Sequence, residues 1–171
     1  WVLRLDDLLD LAVNGRTPSD ELAAIELAGA CRLVEADPIA VRAAALDARG
    51  STRPRQAISA WASADRTNPT KERVGQLVLA LNDAAKAHRD GLDVAEVAWR
   101  LWRNLPFARR FATSKDVTLD AAHREGLEAA TAWFRRAQAA VEEQPGLRAD
   151  VWIERSGHDP AADTFVASPG R

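Results

Sequence analysis

The sequence predicts an all-α fold, an irregular bundle of about seven to eight helices without a substantial sheet. Apolar residues recur at helical spacing along the chain, and no run keeps the two-residue alternation of a half-buried strand for more than a few positions. Proline, glycine and asparagine interrupt this pattern where helices should begin and end. With 171 residues, 47% of them hydrophobic, the chain can bury a core without disulfides or metals.

Three short helices open the chain. Leucines and an alanine share one face of the first helix, which should end near Asn14. Thr17 is a hydroxyl cap followed by acidic residues, which predicts a second helix that runs toward Glu35. Pro38 suits the first position of a third helix. The segment 50–54 contains glycine and proline and should end that helix.

The middle of the chain contains a short helix and a long one. The short helix carries Trp61 and ends before Asn68, which forms a turn signal with the proline after it. Apolar residues then share one stripe from Val74 to His88, and Gly91 follows it. This stripe predicts one long amphipathic helix.

Three more helices complete the pattern. Asp93 and Glu96 match an acidic variant of the capping box, which predicts a helix that begins there and ends at Pro106. After a polar connection at 113–116, apolar spacing over 119–141 predicts the longest helix of the chain. A proline and a glycine end that helix, and one last short helix follows.

These elements suggest one domain followed by a short tail. The helical domain should span 1–157, with a possible internal boundary near 50–54 or 66–70. Residues 158–171 are polar and should form a tail, or a linker that returns to a parent protein. The chain has no initiator methionine, so we expect it to be part of a longer polypeptide.

Large apolar side chains on the helical stripes should form the core. Tryptophans can also stack on unpaired bases, but here they share stripes with leucine and valine, so burial against other helices is the favoured interpretation. The expected core residues are Trp99, Trp102, Leu105, Phe111, Leu127, Trp133 and Phe134.

Arginine clusters are the candidate contacts for nucleic acid. Arg109 and Arg110 lie in a segment predicted to be rich in turns between two helices, where a phosphate backbone could approach. Arg53 and Arg55 form a second candidate pair. The net charge of −2 argues against a free-standing nucleic-acid binder, and a solvated rim remains the alternative for these side chains.

The sequence contains no recognisable reaction centre. It lacks a glycine-rich phosphate loop, and the single cysteine, Cys31, has no basic partner nearby in sequence. Acidic residues near the start suit a solvated helix turn better than a cation site. The histidines lack zinc-site spacing. We therefore expect no catalytic residue, metal or cofactor in this segment; the residues considered are Asp6, Asp7, Asp10, His88, His123 and His158.

Nothing in the sequence indicates a membrane or a secreted protein. No segment approaches the length of about 20 apolar residues that spans a bilayer, and the start does not resemble a secretory signal. One cysteine cannot form an internal disulfide. A cytoplasmic protein without a membrane partner is the expectation.

The second half of the chain resembles the inserted helical 2B subdomain of UvrD-like superfamily 1 DNA helicases, especially the AdnA/AdnB and Add-type helicase-nucleases. A Trp-x-x-Trp helix, a small turn and an aromatic-closed segment occur there in that order. A long alanine-rich helix ending in Pro-Gly follows, and then a Pro-Ala-x-Asp-Thr-like phrase. The matching residues are Trp99, Trp102, Phe107, Ala108, Arg110, Phe111, Leu127 to Gly146 with Trp133, and Pro160–Phe165.

The resemblance covers roughly residues 70 to 171, and Pro106 stands where the family usually has glycine. It implies a non-catalytic module that swivels against the remainder of a helicase motor and touches duplex DNA or a partner helicase-nuclease subunit. The parent protein would then be an ATP-dependent DNA helicase. Two alternatives are an unrelated helical scaffold for protein contacts and a ligand-binding helical regulator, which would need a cavity lined by the tryptophans and leucines.

Overall fold

A computed structural model of the chain describes residues 5–65, 67–113 and 121–156, apart from the side chains of 113 and 121–123. These residues form nine helices and no strand, which confirms the predicted all-α class. The helices are α1 (Leu5–Val13), α2 (Pro18–Gly29), α3 (Pro38–Asp47), α4 (Pro54–Ser63), α5 (Pro69–Arg89), α6 (Val94–Trp102), α7 (Pro106–Thr113), α8 (Ala121–Glu143) and α9 (Ala149–Ser156).

Proline and a capping side chain set the start of most helices. Helices α2, α3, α4, α5 and α7 begin at a proline, which has no N–H to leave unsatisfied and whose φ already suits a helix. Side-chain oxygens of Thr17, Asp37, Asn68 and Asp93 accept hydrogen bonds from backbone N–H groups of the first turn. The starts of these helices are therefore encoded locally.

Helix α5 lies at the centre of the bundle. It packs against α1, α2, α3, α4, α6 and α7. Its inward residues Val74, Leu77, Val78 and Leu81 are at most 1% exposed. One hydrophobic cluster runs from Leu8 in α1 to residues of α9, so the core is continuous across the described helices. Its other members are mostly leucine, valine and alanine, whose small volumes allow close packing of helices.

The second helix is shorter than the sequence predicts. It ends at Gly29 and not near Glu35. Gly29 packs so closely on α3 that an added Cβ would lie 2.6 Å from Cγ1 of Val41. The chain then turns, and Glu35 adopts a left-handed backbone conformation with φ of 55°. This close approach brings α3 back against α2.

The segment that carries Arg109 and Arg110 was predicted to be rich in turns, but it forms helix α7. Helix α6 correspondingly ends at Trp102, before a short turn that leads to Pro106. This additional helix explains why the described residues contain nine helices. Pro106 at the first position and the four-residue spacing of Phe107 and Phe111 are the local signals for α7.

The expected core residues differ in burial. Leu105 and Trp133 are buried, and Trp102, Phe111, Leu127 and Phe134 are partly buried. Trp99 is 50% exposed, so its assignment to the core is wrong. The buried stripe of α6 follows Val94, Val97, Ala98 and Leu101. Each helical residue turns about 100° from the last, which carries Trp99 away from that stripe.

Parts of the predicted organisation fall outside the described residues. These are the tail at 158–171, including Pro160–Phe165, and most of the polar connection before α8. In the part of the chain that the structure describes, no helix is long and apolar enough to cross a bilayer.

Candidate nucleic-acid interface

An aromatic cluster fixes α7 between α6 and α8. Trp102 lies edge-on to Phe107 at 5.9 Å between ring centroids and to Phe134 at 6.0 Å. Phe107 in turn packs against Phe111 at 4.9 Å. Gly126 of α8 leaves room for the ring of Phe107, because a Cβ at Gly126 would lie 3.1 Å from Cζ of that ring. These contacts hold a short helix that would be marginal by itself.

The first turn of α7 also contacts the connection between α2 and α3. The backbone N–H of Phe107 donates a hydrogen bond of 3.1 Å to the carbonyl oxygen of Leu33. This bond satisfies one of the N–H groups that a helix start leaves without an internal partner. It places the arginines of α7 beside residues 30–37.

Glu35 of that connection has arginine partners on two helices. Nη1 of Arg110 lies 3.5 Å from a carboxylate oxygen of Glu35, and Arg73 of α5 donates to its carbonyl oxygen. Arg32 in the connection and Arg109 on α7 are exposed as well. We call Arg32, Arg73, Arg109 and Arg110 together the α7 basic surface. Of these four arginines, Arg110 pairs with the carboxylate of Glu35 and Arg73 with its backbone carbonyl group.

The structure corrects the assignment of Arg55 as a DNA contact. Its side chain is only 16% exposed, and its Nε lies 2.5 Å from Oε1 of Glu21. The same guanidinium group donates to the carbonyl oxygens of Leu11 at 2.7 Å and Leu81 at 3.3 Å. Arg55 therefore connects α4 to α1, α2 and α5, and Nε, Nη1 and Nη2 each already have an acceptor within the protein.

Arg53 is exposed but lies away from the α7 basic surface. It precedes α4 and borders a shallow hollow of about 220 Å³ that also includes Glu21. Arg55 places the start of α4 near Leu81, which is about 12 Å along α5 from Arg73 at 1.5 Å per residue. Of the four candidate contacts, only Arg109 and Arg110 thus lie on this surface.

The residues considered for chemistry have structural partners. Asp6 accepts a hydrogen bond of 2.7 Å from the indole Nε1 of Trp133, which the sequence did not indicate. Asp10 binds Asn14 and Arg16. Burial raises the pKa of the Cys31 thiol, which disfavours the nucleophilic thiolate. Among the described residues, no group of three histidine, cysteine or acidic side chains is placed to hold a metal.

His88 is the buried polar residue of the core. Nη2 of Arg148 lies 2.9 Å from its Nε2. Guanidinium nitrogens only donate, so Nε2 accepts and the neutral ring carries its proton on Nδ1, for which the described residues offer no partner. Burial, and then the charge of Arg148, lower the pKa of His88 below 6.5. His123 and His158 lie outside the described side chains.

A second surface feature lies between α6 and α8. It is an open groove of about 450 Å³ lined by Asp93, Ala95, Glu96, Trp99, Phe134 and Gln138. The sequence did not predict it, because Trp99 was assigned to the core.

Comparisons of the chain with protein-family models, curated proteins and solved structures find no match.

Proposed function

We propose that the chain is a non-catalytic helical accessory module of an ATP-dependent DNA helicase or helicase-nuclease, and that it contacts duplex DNA through the α7 basic surface. The observation that carries this proposal is the convergence of Arg73 from α5 and Arg110 from α7 on Glu35. Residues far apart in sequence thereby contribute to one positively charged surface.

The chemistry of arginine supports phosphate binding at this surface. A guanidinium group stays charged at any physiological pH, and its planar set of donors matches the oxygens of a phosphate. The carboxylate of Glu35 already lies 3.5 Å from Arg110, which shows that an oxyanion can reach that group. A DNA phosphate would compete with Glu35 for it.

The aromatic cluster supports the proposed contact by holding its arginines in place. Trp102, Phe107 and Phe111, which belong to the matching segment, are the residues that fix α7 and so position Arg109 and Arg110. A rigid helix holds phosphate-binding side chains more precisely than a loop would. The ligand-binding regulator has less support, because the hollows at Arg53 and Trp99 are open to solvent and do not enclose a cavity.

The proposal is tested by the salt dependence of DNA binding. Fluorescence anisotropy with a labelled 24-base-pair duplex would compare the chain with its Arg109→Ala/Arg110→Ala variant over a series of salt concentrations. We expect the double variant to bind about tenfold more weakly at low salt. The slope of log affinity against log salt should also become smaller by about 1.8, since each phosphate contact contributes about 0.9.

A matched control removes the same charge elsewhere. Arg89 and Arg135 are exposed, and Arg89 is about 24 Å along α5 from Arg73. The Arg89→Ala/Arg135→Ala variant should keep the slope of the unmodified chain. Equal losses in the two double variants would attribute binding to total charge, and a chain that shows no binding at low salt would reject the DNA contact altogether.

A further inference from the structure

Trp99 is the most exposed tryptophan of the described residues. Half of its surface is open to solvent, whereas Trp61 and Trp102 are partly buried and Trp133 and Trp152 are buried. Leaving a large aromatic surface in water forgoes the free energy that burial would provide. Exposed aromatic side chains of this kind are typical of the centres of protein interfaces.

The ring below Trp99 is held firmly by its neighbours. Trp99 lies edge-on to Phe134 at 6.1 Å between ring centroids. Phe134 is itself supported by Trp133 at 5.2 Å and by Trp102 at 6.0 Å. Binding of a partner over Trp99 should therefore cost little conformational entropy in the side chains that support it.

The groove beside Trp99 is lined by both apolar and acidic side chains. Its volume of about 450 Å³ can accept one or two large side chains, and its apolar lining comes from Trp99, Phe134 and Ala95. Asp93 and Glu96 are the charged residues of the lining, which contains no lysine or arginine. Arg135 and Glu142 each lie one turn from Gln138 on α8, so the flanking charges on that helix are of opposite sign and the negative charge of the groove comes from its lining.

The basic side chains of α6 pair with Asp83 and with Glu96 of the groove, which leaves Asp93 as the lining carboxylate without an arginine partner among the ion pairs of α6. Nη2 of Arg103 donates to Asp83 at 2.8 Å, and Nη1 of Arg100 lies 3.8 Å from the same carboxylate. Nε of Arg100 also donates to Glu96 at 2.9 Å. The groove consequently favours a positively charged occupant over a polyanion such as DNA.

We propose that this groove docks a basic segment of a partner protein. The segment inserts a bulky apolar side chain against Trp99 and Phe134, and it places a lysine or arginine beside Asp93 and Glu96. The surface is formed by α6 and α8 without a residue of α7, so this inference goes beyond the DNA contact and does not depend on it.

The test uses a library of random 12-residue peptides displayed on phage, selected against the full chain and counter-selected against its Trp99→Ala variant. We expect the selected peptides to carry an aromatic residue or leucine next to lysine or arginine. A synthetic selected peptide should bind the Trp99→Ala variant at least tenfold more weakly than the unmodified chain. The Glu96→Gln variant should bind it about threefold more weakly, and added salt should weaken binding to the unmodified chain.

Leu79 provides the matched control, because its side chain is also 50% exposed but lies on α5, outside the groove. The Leu79→Ala variant should bind the peptide as the unmodified chain does, and far-UV circular dichroism would check the fold of every variant. Three outcomes would overturn the proposal: no peptide survives counter-selection, the selected peptides are acidic, or duplex DNA displaces the peptide from the groove. Self-association lost in Trp99→Ala, measured by sedimentation, would overturn it in favour of a second copy of the chain.

Discussion

The two halves of the described bundle are held together by different kinds of contact. Helices α1 to α5 pack through leucine, valine and alanine, and Arg55 ties three of them together by its hydrogen bonds. The ring contacts of α6 to α9 instead link aromatic side chains from Trp99 to Trp152. Both halves leave large apolar side chains at the surface, but they are aliphatic in α1 to α5 (Leu27, Ile39, Leu46 and Leu79) and aromatic, Trp99, in α6 to α9. An exposed ring beside a groove is found at Trp99 in the aromatic half, and the α7 basic surface lies where that half meets α5 and the connection between α2 and α3.

The largest expected loss of stability comes from removing the ring of Trp133 in the aromatic half. Trp133 is 3% exposed, packs against Phe134 and Trp152, and donates to Asp6 of α1. Trp133→Ala should lower the free energy of unfolding by about 3 to 5 kcal/mol, the usual cost of truncating a buried aromatic residue. Urea unfolding followed by circular dichroism measures it.

The Trp133→Phe variant distinguishes the contribution of ring packing from that of the hydrogen bond to Asp6. Phenylalanine keeps much of the packing but cannot donate to Asp6, so it should cost about 1 to 2 kcal/mol. If Trp133→Ala cost less than about 1 kcal/mol, as a surface substitution does, the aromatic cluster would not be what holds this half.

A somewhat smaller loss of stability is expected when Arg55, which links helices of the aliphatic half by hydrogen bonds, is replaced. Arg55→Met leaves Glu21 and two backbone carbonyl groups without their donor. We expect a loss of about 2 to 3 kcal/mol, below the 3 to 5 typical of a fully buried pair because some water still reaches Glu21. Thermal and urea unfolding would report it.

Arg53 serves as the control for Arg55. It is exposed and two residues away, so Arg53→Met should change stability by no more than about 0.5 kcal/mol. Adding Glu21→Gln to Arg55→Met should recover part of the loss, because the unpaired charge disappears. Equal effects of the two arginine substitutions would contradict the structural role of Arg55.

The smallest effect concerns the border between the two halves, where His88 of α5 meets Arg148 and Asp150 at the start of α9. Burial, the charge of Arg148 and that of Arg89 lower the pKa of His88, and Asp150 opposes them. The unfolded chain therefore gains a proton more readily than the folded one. The stability associated with neutral His88 should be complete above pH 6.5 and decline as the pH falls toward the lower pKa of the folded state.

Unfolding curves of the chain and of a His88→Gln variant between pH 8 and 5 would measure this decline. The variant cannot gain this proton, and the other ionisable groups are common to both proteins. Its stability should fall less on acidification than that of the unmodified chain. Parallel pH profiles would show that protonation of His88 does not weaken the contact between α5 and α9.

Local signals in the sequence account for the helical class and for most helix starts. Proline and the capping residues before it act within one turn, so Pro38 and Pro69 could be recognised without a structure. Helix α7 carries the same kind of signal in Pro106. From the sequence we interpret Pro106 as the end of the preceding helix, whereas in the structure it is the first residue of α7.

The exposure of particular side chains could not be predicted in the same way. Arg53 and Arg55 are two residues apart and have the same chemistry, yet one is exposed and the other lies within the bundle. Which side of a short helix faces inward depends on neighbours that are distant in sequence, here Leu11 and Leu81. The exposure of Trp99 and the backbone conformation of Glu35 likewise depend on tertiary packing, and so could not be predicted from local sequence.

The first and last helices of the described bundle, α1 and α9, pack against each other. Each of these helices has a length of about 12 to 14 Å, so the backbone enters and leaves the described bundle within roughly that span. A host polypeptide could hold such a unit in one of its surface loops without separating the two ends of that loop.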